Sequence, residues 1–200
     1  TTIKGFVDGI LDGTIPPDMQ NHYLQLVSEE TGRLARLIQN MLDLSKLESG
    51  EYQVNARMFN IWETITGVAL SAEQRINDGM IDIDGLTMDE KVLVYADPDL
   101  IHQVVYNLLD NAIEACMQLP DAQRLVTVKT SRVRDMLLVL VENTMSSSLV
   151  WNGRTTKEDP FLHGFGLANI QRTVEKYGGH CLTHGKDGIF TLKILLPIPS

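Results

Sequence analysis

The first residues of the chain carry the pattern of an amphipathic helix. Apolar residues recur three and four positions apart, at Ile3, Phe6, Val7, Ile10 and Leu11. This spacing places their side chains on one helical face. Pro16 and Pro17 cannot continue a helix interior, and Pro16 also biases the residue before it toward an extended conformation. We therefore predict a helix that ends in a turn at residues 13–17.

A second, longer helical pattern runs from Asp18 to about Lys46 and contains no proline. Its repeat alternates steps of four and three residues, at Val27, Thr31, Leu34, Ile38, Met41 and Ser45, with Leu37 and Leu44 on a second flank. A lone hairpin of two such helices cannot cover both apolar flanks. We therefore predict that residues 1–50 pair with a second copy of the chain as a four-helix bundle, which makes the protein a homodimer. The alternative is that the hairpin packs on the rest of the chain.

Helical and strand patterns alternate after Ser49–Glu51, a small-residue stretch where we place the boundary between two domains, residues 1–50 and 51–200. Short apolar or alternating stretches indicate strands, and stretches with a helical period indicate helices. The predicted elements are an extended piece at 52–59, a helix at 61–75, strands at 80–83 and 91–95, a helix after Asp97, strands at 126–129 and 136–141, a helix near Gly166 and a strand at 188–197. This order predicts an α+β fold.

The helix that follows Asp97 is the strongest single element and carries a polar column. Asp97 suits the helix cap and Pro98 suits the first helical position. Apolar residues bury one side of this helix, whereas Gln103, Asn107 and Asn111 repeat at a four-residue spacing on another side. Two amide oxygens one turn apart can hold Mg²⁺ when phosphates and water supply the remaining ligands. The alternative is a solvated helix face.

A second candidate site element opens the next long helix. Gly164 and Gly166 stand at its N-terminus, where glycines let backbone N–H groups approach an anion and the helix dipole adds positive potential. A phosphate fits there, and the alternative is an ordinary turn. The polar stretch before it, residues 148–162, is predicted to be a mobile loop. Its donors suit a terminal phosphate, unless they simply belong to a solvated surface loop; they are Arg154, Thr155, Thr156 and Lys157.

Charge and composition exclude several classes of protein. Seventeen Lys and Arg against 26 Asp and Glu give a net charge of −9, which leaves no basic surface for a nucleic-acid backbone. The hydrophobic content of 44% excludes a disordered chain. Cys116 and Cys181 stand far apart without a Cys-x-x-Cys motif, so neither a disulfide framework nor a zinc site is predicted. No apolar run reaches about 18 residues, so we expect no membrane span. A chain that opens inside a helix indicates a piece of a longer protein.

Two parts of the chain resemble sensor histidine kinases. Thr1–Phe6 together with Leu42–Glu48 resembles their dimerization hairpin. Asn107–Ala115 resembles the N box of the GHKL ATPases, the superfamily of histidine kinases, gyrase and MutL. The resemblance implies that residues 51–200 form an α/β sandwich of the GHKL (Bergerat) type that binds ATP and Mg²⁺.

The same resemblance implies roles for individual residues. Asn107 and Asn111 become the magnesium ligands. Thr156 and Lys157 fall in the ATP lid, and Gly164–Leu167 matches the second glycine box. The implied nucleotide-binding residues are Asn107, Asn111, Asn143, Thr156, Lys157, Gly164, Gly166 and Leu167.

The chain departs from the family pattern at three places. Asn143 stands where most relatives have an aspartate that accepts a hydrogen bond from the adenine amino group, and an amide oxygen can accept the same bond. Ser146–Ser148 replaces the glycine-rich turn that follows, and Glu114 replaces a lysine of many histidine kinases. Some peptide-quorum-sensing kinases resemble this variant. The alternative for Asn143 is a cap at a strand end.

The resemblance implies the kinase core of a two-component sensor, which transfers the terminal phosphoryl group of ATP to a histidine for relay to an aspartate of a response-regulator receiver domain. Such a transfer needs positioning and charge neutralisation more than covalent machinery. In the family the acceptor histidine lies a few residues before the segment that resembles Thr1–Lys4, and His22 does not match that position. We therefore expect this chain to bind nucleotide without phosphorylating itself. We also expect it to be the cytoplasmic portion of a sensor whose membrane segment lies upstream.

Two other functions stay open. A degenerate GHKL fold would serve as a dimeric module that docks a regulator without ATP turnover, and Ser146–Ser148 in place of glycines favours this alternative. The coexistence of Gly164 and Gly166 with the asparagine pair is an argument against it. A stand-alone GHKL kinase that acts on serine in a protein partner is disfavoured by the N-terminal hairpin.

Overall fold

The computed structural model describes residues 2–49, 53–86, 91–146 and 165–198. The chain divides into two compact units, Thr1–Glu51 and Tyr52–Ser200. Within the described residues, no helix has both the length and the apolar character needed to cross a bilayer. Each unit has its own set of secondary-structure elements.

The first unit is a hairpin of two helices, α1 (Thr2–Leu11) and α2 (Pro17–Ser49). The connection is closed by two hydrogen bonds, from the Thr14 N–H to the Asp12 carboxylate at 2.9 Å and from the Ile15 N–H to the Gly9 carbonyl at 2.8 Å. The rings of Phe6 and Tyr23 pack across the hairpin with centroids 5.0 Å apart. The predicted helical hairpin is therefore confirmed, and α2 extends to Ser49.

The second unit contains seven strands and four further α-helices among the described residues. Its elements are β1 (Arg57–Asn60), α3 (Ile61–Ser71), α4 (Glu73–Asp78), β2 (Asp82–Asp84), β3 (Leu93–Ala96), α5 (Pro98–Met117), β4 (Leu125–Val133), β5 (Met136–Thr144), α6 (Phe165–Lys176), β6 (His180–Lys186) and β7 (Ile189–Pro197). A 3₁₀ turn at Asp121–Gln123 joins α5 to β4.

Five strands form one mixed sheet in the order β2-β4-β5-β7-β6, and β1 pairs with β3 separately. The β2–β4 pair is parallel, and the other pairs are antiparallel. Alternate residues of β5 are buried, among them Leu137, Val139 and Val141, so one face of the sheet packs against helices. The core joins this face to α3, α5 and α6. This arrangement confirms the predicted α+β fold with a layer of helices on a sheet.

Two elements differ from the sequence prediction. The helix predicted at 61–75 ends at Ser71, and a short separate helix, α4, follows after Ala72. The Ser71 hydroxyl donates to the Val68 carbonyl at 2.7 Å, and such local side-chain bonds compete with helix continuation. Strand β6 was not predicted, because its half-buried positions hold Cys181, Thr183 and Gly185 and not a row of large apolar side chains. Its residues His180 and His184 are exposed.

Candidate functional site

The N-terminus of α5 is fixed by the carboxylate that the sequence predicted as its cap. The Asp99 N–H donates to Oδ1 of Asp97 at 3.0 Å, and Pro98 occupies the first helical turn. Asp97 is 1% exposed. The buried face of the helix packs into the core through residues that include Ile101, Leu108 and Ile113. A capped and packed α5 therefore holds its polar column in a defined place.

The first turn of α6 lies directly against the asparagine pair of α5. A Cβ atom placed on Gly166 would lie 3.4 Å from Nδ2 of Asn111 and 3.8 Å from Oδ1 of Asn107. The two elements that the sequence singled out, one on each helix, thus face each other. The missing side chain at Gly166 keeps the space beside the two amides free of protein atoms at that point.

The amide of Asn107 carries a buried donor. Asn107 is 5% exposed, and its Nδ2 has no hydrogen-bond partner among the residues that the structure describes. A buried polar atom without a partner is costly, and such atoms often mark a site that a ligand or an ordered water completes. Together with the open space beside Gly166, this donor makes the α5–α6 junction the best candidate for a polar ligand site among the described residues.

The chemistry of the asparagine pair fits Mg²⁺. Amide oxygens are hard, neutral ligands, and Mg²⁺ in nucleotide sites takes few protein ligands besides phosphate and water. In the described ranges, no group of three or more His, Cys, Asp or Glu side chains has an arrangement that could hold a metal ion. Asn107 and Asn111 are residues whose amide oxygens could hold such an ion together with its nucleotide.

Asn143 lies on a different element from the asparagine pair. It is 4% exposed on β5, where it stands opposite Val126 of β4 and Phe190 of β7. Its Nδ2 donates to the Thr144 carbonyl at 2.9 Å, and its Oδ1 is a hydrogen-bond acceptor. The nearest side-chain atoms to Gly166 belong to Asn107 and Asn111 and not to Asn143.

The remaining predicted site residues are placed only in part. Thr156, Lys157 and Gly164, with the other lid residues Arg154 and Thr155, lie outside the described residues. Leu167 is half-buried and packs against the core, so its side chain anchors the first turn of α6.

Sequence reasoning missed a basic residue beside the asparagine helix. Nη1 of Arg75 lies 2.6 Å from Oδ1 of Asp110, and the two side chains are 40% and 18% exposed. Burial lowers the pKa of Arg75, but the hydrogen bond and charge of Asp110 outweigh it, and Tyr106 and Glu114 act in the same direction, so the pKa is raised. The two residues are 35 positions apart on different helices, and no local pattern signals their contact.

Comparison with known proteins identifies the family. Residues 98–197 match the family model of the GHKL domain, and residues 1–50 match that of the His Kinase A (phospho-acceptor) domain. The sensor histidine kinase YclK of Bacillus subtilis (strain 168) is 32% identical over 118 residues, which are 57% of this chain and 24% of the relative. The chain spans between 24% and 48% of the length of the first curated relatives that it matches.

Solved structures agree at the level of the fold. The Acinetobacter baumannii histidine kinase AdeS aligns with a TM-score of 0.73 at 20% identity, over 99% of this chain and 94% of that chain. The histidine kinase ThkA, crystallised in complex with the response regulator protein TrrA, aligns with a TM-score of 0.76 at 23% identity, over 98% of this chain and 57% of that chain. The chain therefore belongs to the sensor histidine kinases and carries their GHKL domain, which confirms the predicted family.

Proposed function

We propose that this chain is the ATP-binding kinase core of a two-component sensor, which transfers the terminal phosphoryl group of ATP to a histidine for relay to a receiver-domain aspartate. Residues 1–50 serve as the dimerization hairpin and residues 51–200 as the catalytic domain. The observation that carries the proposal is the contact of Gly166 with Asn107 and Asn111. It argues against a degenerate docking module, because a carboxamide pair facing a glycine at a helix N-terminus suits a metal–phosphate complex.

Each described residue has a task in this proposal. The side-chain amides of Asn107 and Asn111 would hold Mg²⁺, which would supply neutralisation of phosphate charge and orientation of the terminal phosphoryl group. Backbone N–H groups around Gly166 and Leu167 donate to phosphate oxygens at the start of α6. Oδ1 of Asn143 accepts a hydrogen bond from the adenine amino group.

The lid completes the assignment. Thr156 and Lys157 supply a hydroxyl and a cation to the terminal phosphate. Gly164 extends the glycine segment at the N-terminus of α6. These residues carry the roles that the family resemblance implies for their positions.

A titration with a fluorescent ATP analogue, with and without Mg²⁺, tests the nucleotide site. We expect saturable, magnesium-dependent binding that Asn107→Ala and Asn111→Ala each weaken by about tenfold or more, in line with the effect of losing metal-site groups. The matched control is Asn77→Ala, which removes the same amide from an exposed position on α4. Wild-type chain that shows no saturable magnesium-dependent signal overturns the proposal.

Phosphoryl transfer is tested on the full-length protein. Incubation with ATP labelled at the terminal phosphate is expected to give acid-labile phosphate on a histidine and then phosphate on a receiver domain added in trans. Asn107→Ala is expected to abolish both signals. Label that survives acid treatment, as phosphoserine does, contradicts the proposal.

The dimer rests on the uncovered apolar repeat of α2. Leu34, Ile38 and Met41, which the sequence placed on one stripe, are 48%, 53% and 60% exposed in the single chain. A second copy would bury them in a four-helix bundle. Light scattering on the purified chain is expected to give a dimer that Ile38→Glu converts to monomer, whereas Gln25→Glu at an exposed polar site of the same helix leaves it intact. A wild-type monomer at micromolar concentration contradicts this assignment.

The partner and the setting follow from the family. ThkA is described in complex with a response regulator protein, and we propose a receiver domain as the protein partner of this chain. We likewise propose that the chain lies on the cytoplasmic side of a membrane sensor.

A further inference from the structure

We propose that Arg75 offsets the carboxylates of Asp110 and Glu114 beside the asparagine pair, and that this neutralisation sets the affinity of the site for a polyphosphate nucleotide. The inference rests on the proposed nucleotide site. It gives α4 a role in nucleotide binding. This helix lies outside the asparagine and glycine segments, and no sequence motif indicates such a role.

Two acidic side chains border the asparagine pair on α5. Asp110 directly precedes Asn111, and Glu114 follows it by three residues. Residues three and four apart lie on the same helical face with Cβ atoms about 5–6 Å from each other. Asp110 and Glu114 therefore share one stripe of α5, and that stripe adjoins the column of Asn107 and Asn111. An anionic triphosphate that binds the pair approaches two negative charges.

Arg75 reaches this stripe from α4. Its Nη1 donates to Oδ1 of Asp110 at 2.6 Å, and its charge also interacts favourably with Glu114. The Asp110 side chain is only 18% exposed, so water screens its charge weakly and the ion pair with Arg75 is the main interaction that offsets it. The guanidinium thus lies where it lowers the negative potential at the rim of the site, without itself being a ligand of the metal.

The effect of removing this cation is moderate and sensitive to salt. Even in water, two unit charges about 10 Å apart interact by a fraction of a kcal/mol, and the interaction is stronger where a charge is partly buried. Arg75→Gln removes one positive charge near a multiply charged ligand, and we expect this to lower the affinity by about three- to tenfold. Because the Debye length falls from about 30 Å at 0.01 M to about 3 Å at 1 M ionic strength, the loss should shrink as salt is added.

The first experiment measures the dissociation constant of the magnesium complex of a fluorescent ATP analogue for Arg75→Gln. We expect the loss of about three- to tenfold near 0.01 M ionic strength and little loss near 1 M. Arg132→Gln is the matched control, since it removes the same charge from an exposed side chain on β4 whose Nε donates to the Arg134 carbonyl. It is expected to leave the dissociation constant unchanged at both salt levels.

The second experiment separates charge from a structural role. Adding Asp110→Asn and Glu114→Gln to Arg75→Gln removes both carboxylate charges without restoring the guanidinium. The triple variant carries one negative charge fewer here than the wild type, so we expect it to bind at low salt at least as tightly as the wild type. A triple variant that stays weak, or a single variant whose loss is the same at both salt levels, overturns the proposal in favour of packing. Wild-type binding with an unaffected Arg75→Gln overturns this inference alone, whereas absence of magnesium-dependent binding in the wild type overturns the proposed function.

Discussion

The backbone N–H of Asp97 donates a hydrogen bond to the hydroxyl oxygen of Tyr177 at 3.0 Å. The carboxylate of the same aspartate accepts from the N–H of Asn55 at 2.8 Å and from the N–H of Asp99 at 3.0 Å. One buried residue thereby joins the first residues of the second unit to the start of α5 and to the residue that follows α6. These two helices also carry the asparagine pair and Gly166, which lie against each other, so the Asp97–Tyr177 bond adds to the core packing that holds their relative position.

Removing the Tyr177 hydroxyl is expected to destabilise the second unit, Tyr52–Ser200. In Tyr177→Phe the N–H of Asp97, which is 1% exposed, loses its acceptor. A buried donor without a partner costs about 1–3 kcal/mol. Urea unfolding should show this loss in the free energy of unfolding. Tyr95→Phe, at a side chain that is 57% exposed, should change it by less than about 0.5 kcal/mol; equal effects of the two substitutions would contradict the assignment.

The sequence predicted α5 well because its signals are local. Asp97 as cap, Pro98 at the first turn and a regular apolar period lie within one segment and act together. The juxtaposition of Gly166 with the asparagine pair was anticipated as well, but only through the resemblance of two separate motifs to one family. No local rule connects residues more than 50 positions apart.

The parts that the sequence did not predict depend on tertiary context. Strand β6 is an edge strand stabilised by pairing with β7, so its own residues need no apolar alternation. The contact of Arg75 with Asp110 depends on how α4 packs beside α5. The break between α3 and α4 at Ala72 contains no proline or glycine, so the sequence does not indicate it. Helix and strand propensities and the spacing of apolar residues therefore predicted the main elements. The charged neighbours of the site could be identified only from the tertiary structure.

Gly166→Ala should separate stability from nucleotide binding. The new methyl group would lie 3.4 Å from Nδ2 of Asn111, which is an ordinary contact, and alanine stabilises a helix relative to glycine by up to about 1 kcal/mol. The fold should therefore be as stable as the wild type or slightly more stable. The same methyl group would fill the space between Gly166 and the two asparagine amides. One extra methyl group in a closely fitting binding site costs about tenfold or more in affinity, here for the nucleotide.

The matched control for Gly166→Ala is Gly67→Ala in α3, where a Cβ meets no atom within 4 Å. It should raise the melting temperature without changing the dissociation constant of the magnesium–nucleotide complex. If Gly166→Ala binds nucleotide as the wild type does, phosphate does not approach the backbone at this residue.

The reactivity of Cys181 should depend steeply on pH. Burial, with a smaller contribution from the charge of Glu175, raises the pKa of the Cys181 thiol to about 11. The thiolate is the reactive form, so alkylation at neutral pH should be slow and should accelerate as the pH approaches that pKa. Because the folded-state pKa is raised, the stabilisation from the neutral thiol is present below the ordinary thiol pKa and is lost as the pH rises through the folded value.

Iodoacetamide labelling of Cys116→Ala, in which Cys181 is the remaining thiol, measures this profile. The complementary Cys181→Ala variant isolates Cys116, which is buried and whose pKa is raised mainly by desolvation. Both variants should react quickly once unfolded in urea. Rapid labelling of folded Cys116→Ala near neutral pH would show that Cys181 is not shielded as the fold implies.

The end of β2 should tolerate no side chain at Gly85. This residue has φ of +97°, and a Cβ placed on it would overlap the carbonyl oxygen of Val128 in the neighbouring strand β4. Gly85→Ala therefore combines an unfavourable backbone conformation with a steric clash against main-chain atoms that cannot move without breaking the sheet. We expect the free energy of unfolding to fall by more than about 2 kcal/mol.

Gly188→Ala provides the graded control, because Gly188 has φ of +77° but the atom nearest to a Cβ placed on it, the Met145 carbonyl oxygen, is 3.6 Å away. It should cost only about 1–2 kcal/mol from the backbone conformation alone. Equal losses for the two variants in urea unfolding would mean that β2 moves away from β4 to accept the methyl group.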